Sequence, residues 1–114
     1  MKIFITGIST DVGKTISSAI VVESLKADYW KPIQAGDLEN SDSSKVKRLI
    51  SNTTSVLFSN SYKLITPASP HLAAKIDGVE IKIESIKAPE TKNNLVIEGA
   101  GGLFVPLNDH DCII

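Results

Sequence analysis

The sequence predicts an α/β fold, a mostly parallel sheet flanked by helices, and three observations carry that expectation. The chain opens on a β-branched and aromatic run (residues 2–6) that leads through a glycine-containing loop into an apolar-faced helix. A second apolar run, LVI at 95–97, returns after helical segments and ends on an acid followed by glycines. No internal repeat or linker separates the two, and the order β–loop–α–β favours parallel strands joined by helical crossovers.

Residues 2–6 read as a short buried strand. Thr15 to Lys26 reads as a helix whose broad apolar face holds Ile16, Ala19, Ile20, Val21 and Val22, with Glu23, Ser24 and Lys26 at polar positions. YWKPI at 29–33 reads as a second strand ending in a loop, and residues 36–44 are polar and turn-rich. Asp42 and its neighbouring serines open a helix whose face is Val46, Leu49 and Ile50. Lys45, Lys47 and Arg48 would coat the solvent side of that helix. After a break at 51–55, strand-like residues return at 56–58 and 61–65. Ser69-Pro70-His71 starts a third helix, with a serine cap and a proline where its missing N–H costs nothing. It carries Leu72, Ala73, Ala74 and Ile76, stops near Asp77-Gly78, and gives His71 a structural place. Residues 80–84 alternate charged and apolar as an exposed strand would, while Ile83, Ile86 and Lys87 suit a short helix; both readings stay open. Residues 95–97 are the clearest later strand, followed by EGAGG and LFVPL at 98–107.

A chain of 114 residues with 42% hydrophobic content makes one modest domain with ample core. Its formal charge of −1 argues against a protein whose main task is neutralising a nucleic-acid backbone. No apolar run approaches the roughly 18–20 residues that span a bilayer, and the short run after Lys2 does not read as a signal peptide. Cys112, the single cysteine, excludes an intrachain disulfide and a thiolate cluster and fits a reducing cytoplasm.

The loop GISTDVGKT at 7–15 carries the chemistry. A tight turn between strand and helix points backbone N–H groups inward, and the helix adds its positive end. Gly13 would let backbone approach a phosphate, Lys14 would reach the outer phosphates, and the Thr15 hydroxyl would sit on Mg²⁺. Five residues separate Gly7 from Gly13, one more than the usual spelling; a structural loop with a surface lysine is the plainer reading. Glu98, directly after an apolar strand, stands where nucleotide-binding sheets place a metal or metal-water ligand, though a strand-to-loop transition alone would also put it there. Gly99, Gly101 and Gly102 mark close backbone approach, and Lys31 is aimed at the same sheet edge. The expected domain is therefore P-loop NTPase-like. Each βαβ unit takes roughly 30 residues, and the apolar CII at 112–114 stands where another element would begin. Residues 1–114 thus read as the N-terminal part of a longer nucleotide-binding domain.

Five ordered stretches resemble the dethiobiotin synthetase family. GISTDVGKT (7–15) resembles its GTDTxVGKT loop, including the extra residue, which makes Ile8 acceptable. KPIQAG (31–36) resembles KPVx[ST]G, NSD (40–42) the family's NSD or SD, TPASPHLAA (66–74) its PxSPHxAA, and VIEGAGGLFVPL (96–107) its VEGAGGxxVPL. The resemblance implies an ATP-dependent ligase of biotin synthesis that closes a ureido ring on 7,8-diaminononanoate with CO₂, through a carbamate and its phosphoric anhydride. It implies that Asp11, Val12, Gly13, Lys14 and Thr15 cradle ATP. It further implies that Thr15, Asp42 and Glu98 hold Mg²⁺, and that Lys14 and Lys31 are catalytic, with Lys31 on the carbamate and the transferred phosphate. Thr10, Ala35, Gly101 and Gly102 would lie near the diamine. A cytoplasmic homodimer with no nucleic-acid or membrane partner is implied as well, the later half of the family chain supplying further strands, adenine recognition and much of the dimer interface. Ala35 departs from the family's Ser or Thr, and Asp42 follows Gly36 more closely than in longer-looped relatives.

Three rivals stand beside this reading. A partitioning ATPase would carry a second lysine where Ser9 stands. A cobalamin-pathway synthetase would need a glutaminase domain with a catalytic cysteine. A fragment could bind nucleotide or a partner without turnover.

Overall fold

The computed structural model describes residues 1–113, so Ile114 of the closing apolar run lies outside the described residues. Along the chain follow β1 (Lys2–Ile5), α1 (Lys14–Leu25), β2 (Asp28–Trp30), β3 (Ile33–Ala35), α2 (Asp42–Leu49), β4 (Leu57–Phe58), β5 (Tyr62–Leu64), α3 (Pro70–Asp77), β6 (Leu95–Glu98), β7 (Val105–Pro106) and β8 (Cys112–Ile113). The main sheet is parallel throughout, in the order β1-β6-β2-β4. A second parallel pair, β3-β5, continues from β2 and β4, and β7-β8 is a short antiparallel pair. The α/β class expected from the sequence is the class observed.

The expected strand at 29–33 is divided, and proline is the reason. Pro32 has no N–H for a ladder, and its carbonyl accepts from both Ser61 N (2.7 Å) and Tyr62 N (3.0 Å). Register moves from Trp30 opposite Phe58 to Ile33 opposite Tyr62, three steps on one strand against four on the other. That extra residue is a β-bulge, which bends a strand and re-aims the side chains beside it. Lys31 sits at the bend, its carbonyl held by Asn60 Nδ2 at 2.7 Å.

Two apolar clusters sandwich the strands. On one face Ala19 and Val22 of α1 and Val46 of α2 pack on Tyr29 and Val96. On the other, Ala73 and Ala74 of α3 meet Ile33, Leu64, Ile81, Ala100 and Leu107. Ser41 caps α2 by accepting from Ser44 N at 3.3 Å. Pro70 occupies the first position of α3 and Gly78 ends it in the left-handed conformation, as the sequence led one to expect, although the Ser69 side chain makes no capping bond.

Three expectations are corrected and one left open is resolved. β1 is an edge strand with β6 as its neighbour, so Phe4 is 43% exposed rather than buried. Ala19 and Val22 of the expected α1 face are buried, but Ile16 and Ile20 face outward and Ser18 joins the seam in their place. Leu49 is exposed because the two-turn α2 packs through Val46 and through Ile50, just past its end. Residues 80–82 form no strand, and the short helix left open beside that reading is the one found, as a 3₁₀ helix over Ile83–Ser85.

Glu23 joins α1 to the segment after α2. Its carboxylate accepts from Ser51 N (3.1 Å), Ser51 Oγ, Asn52 N (3.2 Å) and Asn52 Nδ2 (2.7 Å). The Ser51 hydroxyl first, then the Asn52 groups, lower its pKa to about 2. A carboxylate depressed by folding contributes stability above its unfolded pKa and loses it as pH falls through the folded one. Glu23→Ala is therefore expected to lower the melting temperature by a few degrees at pH 7. Calorimetry should show the gap to the unmutated protein narrowing as pH falls from about 4.5 towards 2.

Candidate functional site

Strand register assembles the centre of the site. Tyr29 pairs with Val96 and Trp30 with Ile97, so the next position sets Lys31 opposite Glu98 on the same face. Side chains two apart on a strand share a face, which puts Tyr29, Lys31, Val96 and Glu98 on the side covered by α1 and α2. Lys31 Nζ lies 3.2 Å from Glu98 Oε1 and 2.6 Å from Asp42 Oδ2. Thr15 Oγ1 donates to Glu98 Oε1 at 2.9 Å, and Tyr29 OH donates to Glu98 Oε2 at 2.9 Å. Glu98 is fully buried and Lys31 nearly so. One ammonium thus bridges two carboxylates, and Lys45 Nζ approaches the other oxygen of Asp42 at 3.4 Å.

Burial pushes the Asp42 carboxyl up, but the charge and hydrogen bond of Lys31, aided by Lys45, hold it below the usual carboxylate range. Burial, then the charge of Glu98, raises the Tyr29 phenol well above its ordinary value, so it remains a donor.

The GISTDVGKT loop closes over this centre. Asp11 and Gly13 both take positive φ, 55° and 97°, and α1 begins at Lys14 with no side-chain cap. The uncapped first turn leaves its N–H groups free for an anion. Gly13 is required here, since an L side chain at φ 97° is strained. Lys14 Nζ turns back to the Ser9 carbonyl at 2.6 Å. Burial, followed by repulsion from Lys31, lowers its pKa. Ile8 points its side chain to solvent, which explains why the position tolerates it.

These residues line a cavity of about 1190 Å³. Of the sequence-predicted set, Thr10, Asp11, Gly13, Lys14, Thr15 and Lys31 line it, as do Ala35, Asp42, Glu98, Gly101 and Gly102. The Val12 side chain does not; it is exposed. His71 lies off the cavity, in the first turn of α3. Gly102 packs directly on the loop, where a Cβ would stand 2.8 Å from the Ile8 carbonyl oxygen.

Sequence reasoning missed four contributors. Tyr29 is one, although it stands two positions before Lys31 and so shares its face. Gln34 is another: buried, it accepts from Asp42 N (3.2 Å) and donates to the Gly36 carbonyl (3.0 Å), fixing the start of α2. A lone glutamine in an otherwise apolar strand was the available signal. Lys45 and Arg48 also line the cavity rather than only coating α2, because α2 lies across its mouth; Lys45 pairs with Asp37 at 2.9 Å. Among the described residues no three carboxylate, imidazole or thiolate side chains meet, so a cation here would draw on two carboxylates and a hydroxyl.

A family model described as an AAA domain matches residues 1–114. The chain is 68% identical over 110 residues to the ATP-dependent dethiobiotin synthetase BioD of Christiangramia forsetii, covering 96% of this chain and 53% of that protein. The proteins of the same name from Cytophaga hutchinsonii and Rhodopseudomonas palustris are 51% and 52% identical, over 98% and 95% of this chain and 54% and 51% of theirs. The chain thus spans about half the length of the relatives it matches.

Gly102→Ala is expected to displace the loop through Ile8 and to weaken nucleoside triphosphate binding. A strain of about 1–2 kcal/mol corresponds to roughly tenfold in affinity, read by titration with a fluorescent nucleotide.

Proposed function

Because the chain belongs to the AAA domain family and is homologous over nearly all its length to ATP-dependent dethiobiotin synthetases, we propose that the protein containing it is such a ligase. It would convert 7,8-diaminononanoate, CO₂ and ATP to dethiobiotin, ADP and phosphate. The observation that carries this reading is the meeting of Lys14, Thr15, Lys31, Asp42 and Glu98 in one cavity under a phosphate-type loop. Residues 1–114 would form a single nucleotide-binding domain within a longer protein, a homodimer working in the cytoplasm.

One amine takes up CO₂ as a carbamate, releasing a proton. A carbamate oxygen attacks the γ-phosphorus while the bond to the bridging oxygen breaks and ADP leaves. The second amine then attacks the carbamoyl carbon, the carbon–oxygen bond to phosphate breaks, and the amine proton goes to solvent or the departing phosphate. No protein nucleophile is needed, since the anhydride is already activated. Catalysis of phosphoryl transfer is chiefly positioning and charge stabilisation. In this assignment Lys14 leaves the Ser9 carbonyl for the outer phosphates, and the backbone of 11–15 cradles them. Lys31 holds the carbamate and the transferred phosphoryl group, while Thr10, Ala35, Gly101 and Gly102 border the diamine.

The oxygen set fits Mg²⁺. Thr15, Asp42 and Glu98 offer hard oxygen donors around a point where an ammonium is already stabilised, the donor type a small divalent ion takes. Bound there, Mg²⁺ would neutralise charge developing on the phosphates.

Two experiments follow. Lys14→Ala is expected to reduce diamine-dependent ADP release by about 10²–10³-fold; unchanged release in a coupled assay would refute the phosphate assignment. Ala35→Ser restores a hydroxyl worth about 0.5–1.5 kcal/mol if it hydrogen-bonds the diamine, so the KM for the diamine should fall roughly two- to tenfold.

A further inference from the structure

The two oxygens of Glu98 are held differently. Oε1 takes the Thr15 hydroxyl at 2.9 Å and the Lys31 ammonium at 3.2 Å, both from residues that line the cavity. Oε2 takes the hydroxyl of Tyr29, a residue that does not line the cavity, at 2.9 Å. Tyr29 stands opposite Val96, two residues before Glu98 on the same face, so its ring runs along the sheet towards the carboxyl end. The distance to cover is about one two-residue strand repeat, roughly 6.6 Å, which a phenol spans. Both side chains are fully buried. Turning the carboxylate to present both oxygens to the cavity would break this bond where water offers little replacement.

We propose that Tyr29 is a positioning residue that makes Glu98 a one-oxygen ligand and thereby sets the site's preference for a small octahedral cation, Mg²⁺, over Ca²⁺. This rests on the phosphoryl-transfer reading above. Ca²⁺ accepts six to eight oxygens and often takes a carboxylate through both, whereas Mg²⁺ demands six in near-ideal geometry. Pinning Oε2 therefore denies Ca²⁺ an oxygen that Mg²⁺ does not use.

The test follows Mn²⁺ bound to the ADP-loaded complete protein by electron paramagnetic resonance, with displacement by Mg²⁺ or Ca²⁺ corrected for their binding to free ADP. Mg²⁺ should displace Mn²⁺ from the unmutated protein at concentrations roughly tenfold below Ca²⁺. In Tyr29→Phe that ratio should narrow by about fivefold or more, mainly through improved Ca²⁺ binding, with metal-free ADP affinity unchanged. A merely structural role would weaken Mg²⁺, Ca²⁺ and ADP together. A folded Tyr29→Phe with the original ratio overturns the proposal and leaves the ligase reading intact. If Tyr29→Phe does not fold, the unmutated protein decides, and equal displacement by both ions overturns it. No ADP-dependent Mn²⁺ binding at all would overturn both.

Discussion

The structure turns on a buried ammonium held between two carboxylates. Lys31 is 6% exposed at its side chain, Glu98 0% and Asp42 20%, so three charges have left most of their water. Such a group does not contribute stability cheaply. Desolvation costs several kcal/mol per ion, and removing one partner typically costs about 3–5 kcal/mol because the others are left uncompensated. Its persistence fits a site that must hold positive charge in one place. Lys45 extends the network at the other Asp42 oxygen, 3.4 Å away.

Much of the local architecture serves that point. The chain bends at Pro32, just after Lys31 leaves β2, and Asn60 holds the Lys31 carbonyl. Gln34 fixes the first turn of α2, bringing Asp42 to Lys31. Thr15, one residue into α1, reaches the same Glu98 oxygen that Lys31 holds. Two helices and two strands thus meet through side chains that pack little apolar surface. The apolar clusters begin at the cavity wall, at Ala100 in one and at Tyr29 beside Glu98 in the other, and hold these elements together. Lys14, meanwhile, bonds a carbonyl of its own loop, so anion binding exchanges one partner for another.

The parts legible in the sequence were those dictated by local chemistry. The phosphate-type loop, the proline start and glycine stop of α3, and the acid ending β6 all carry their reasons within a few residues. What escaped depends on tertiary placement. Ile16 and Ile20 look like part of the face that Ala19 and Val22 bury, yet the sheet meets α1 on the side of Ser18. The split at Pro32 required knowing that an extra residue arises at 58–62 across the ladder. Tyr29 reads as an apolar strand residue until register sets it two positions short of Glu98. Lys45 and Arg48 read as solvent-side charges because nothing local reveals that α2 crosses the cavity mouth.

The most direct test replaces Lys31 with methionine, which keeps length and removes charge, and measures diamine-dependent ADP release with ADP binding in parallel. If Lys31 is the cation on which phosphoryl transfer depends, release falls by about 10²–10³-fold while ADP is still bound. Release at the unmutated rate in a folded Lys31→Met protein would contradict the account at its centre.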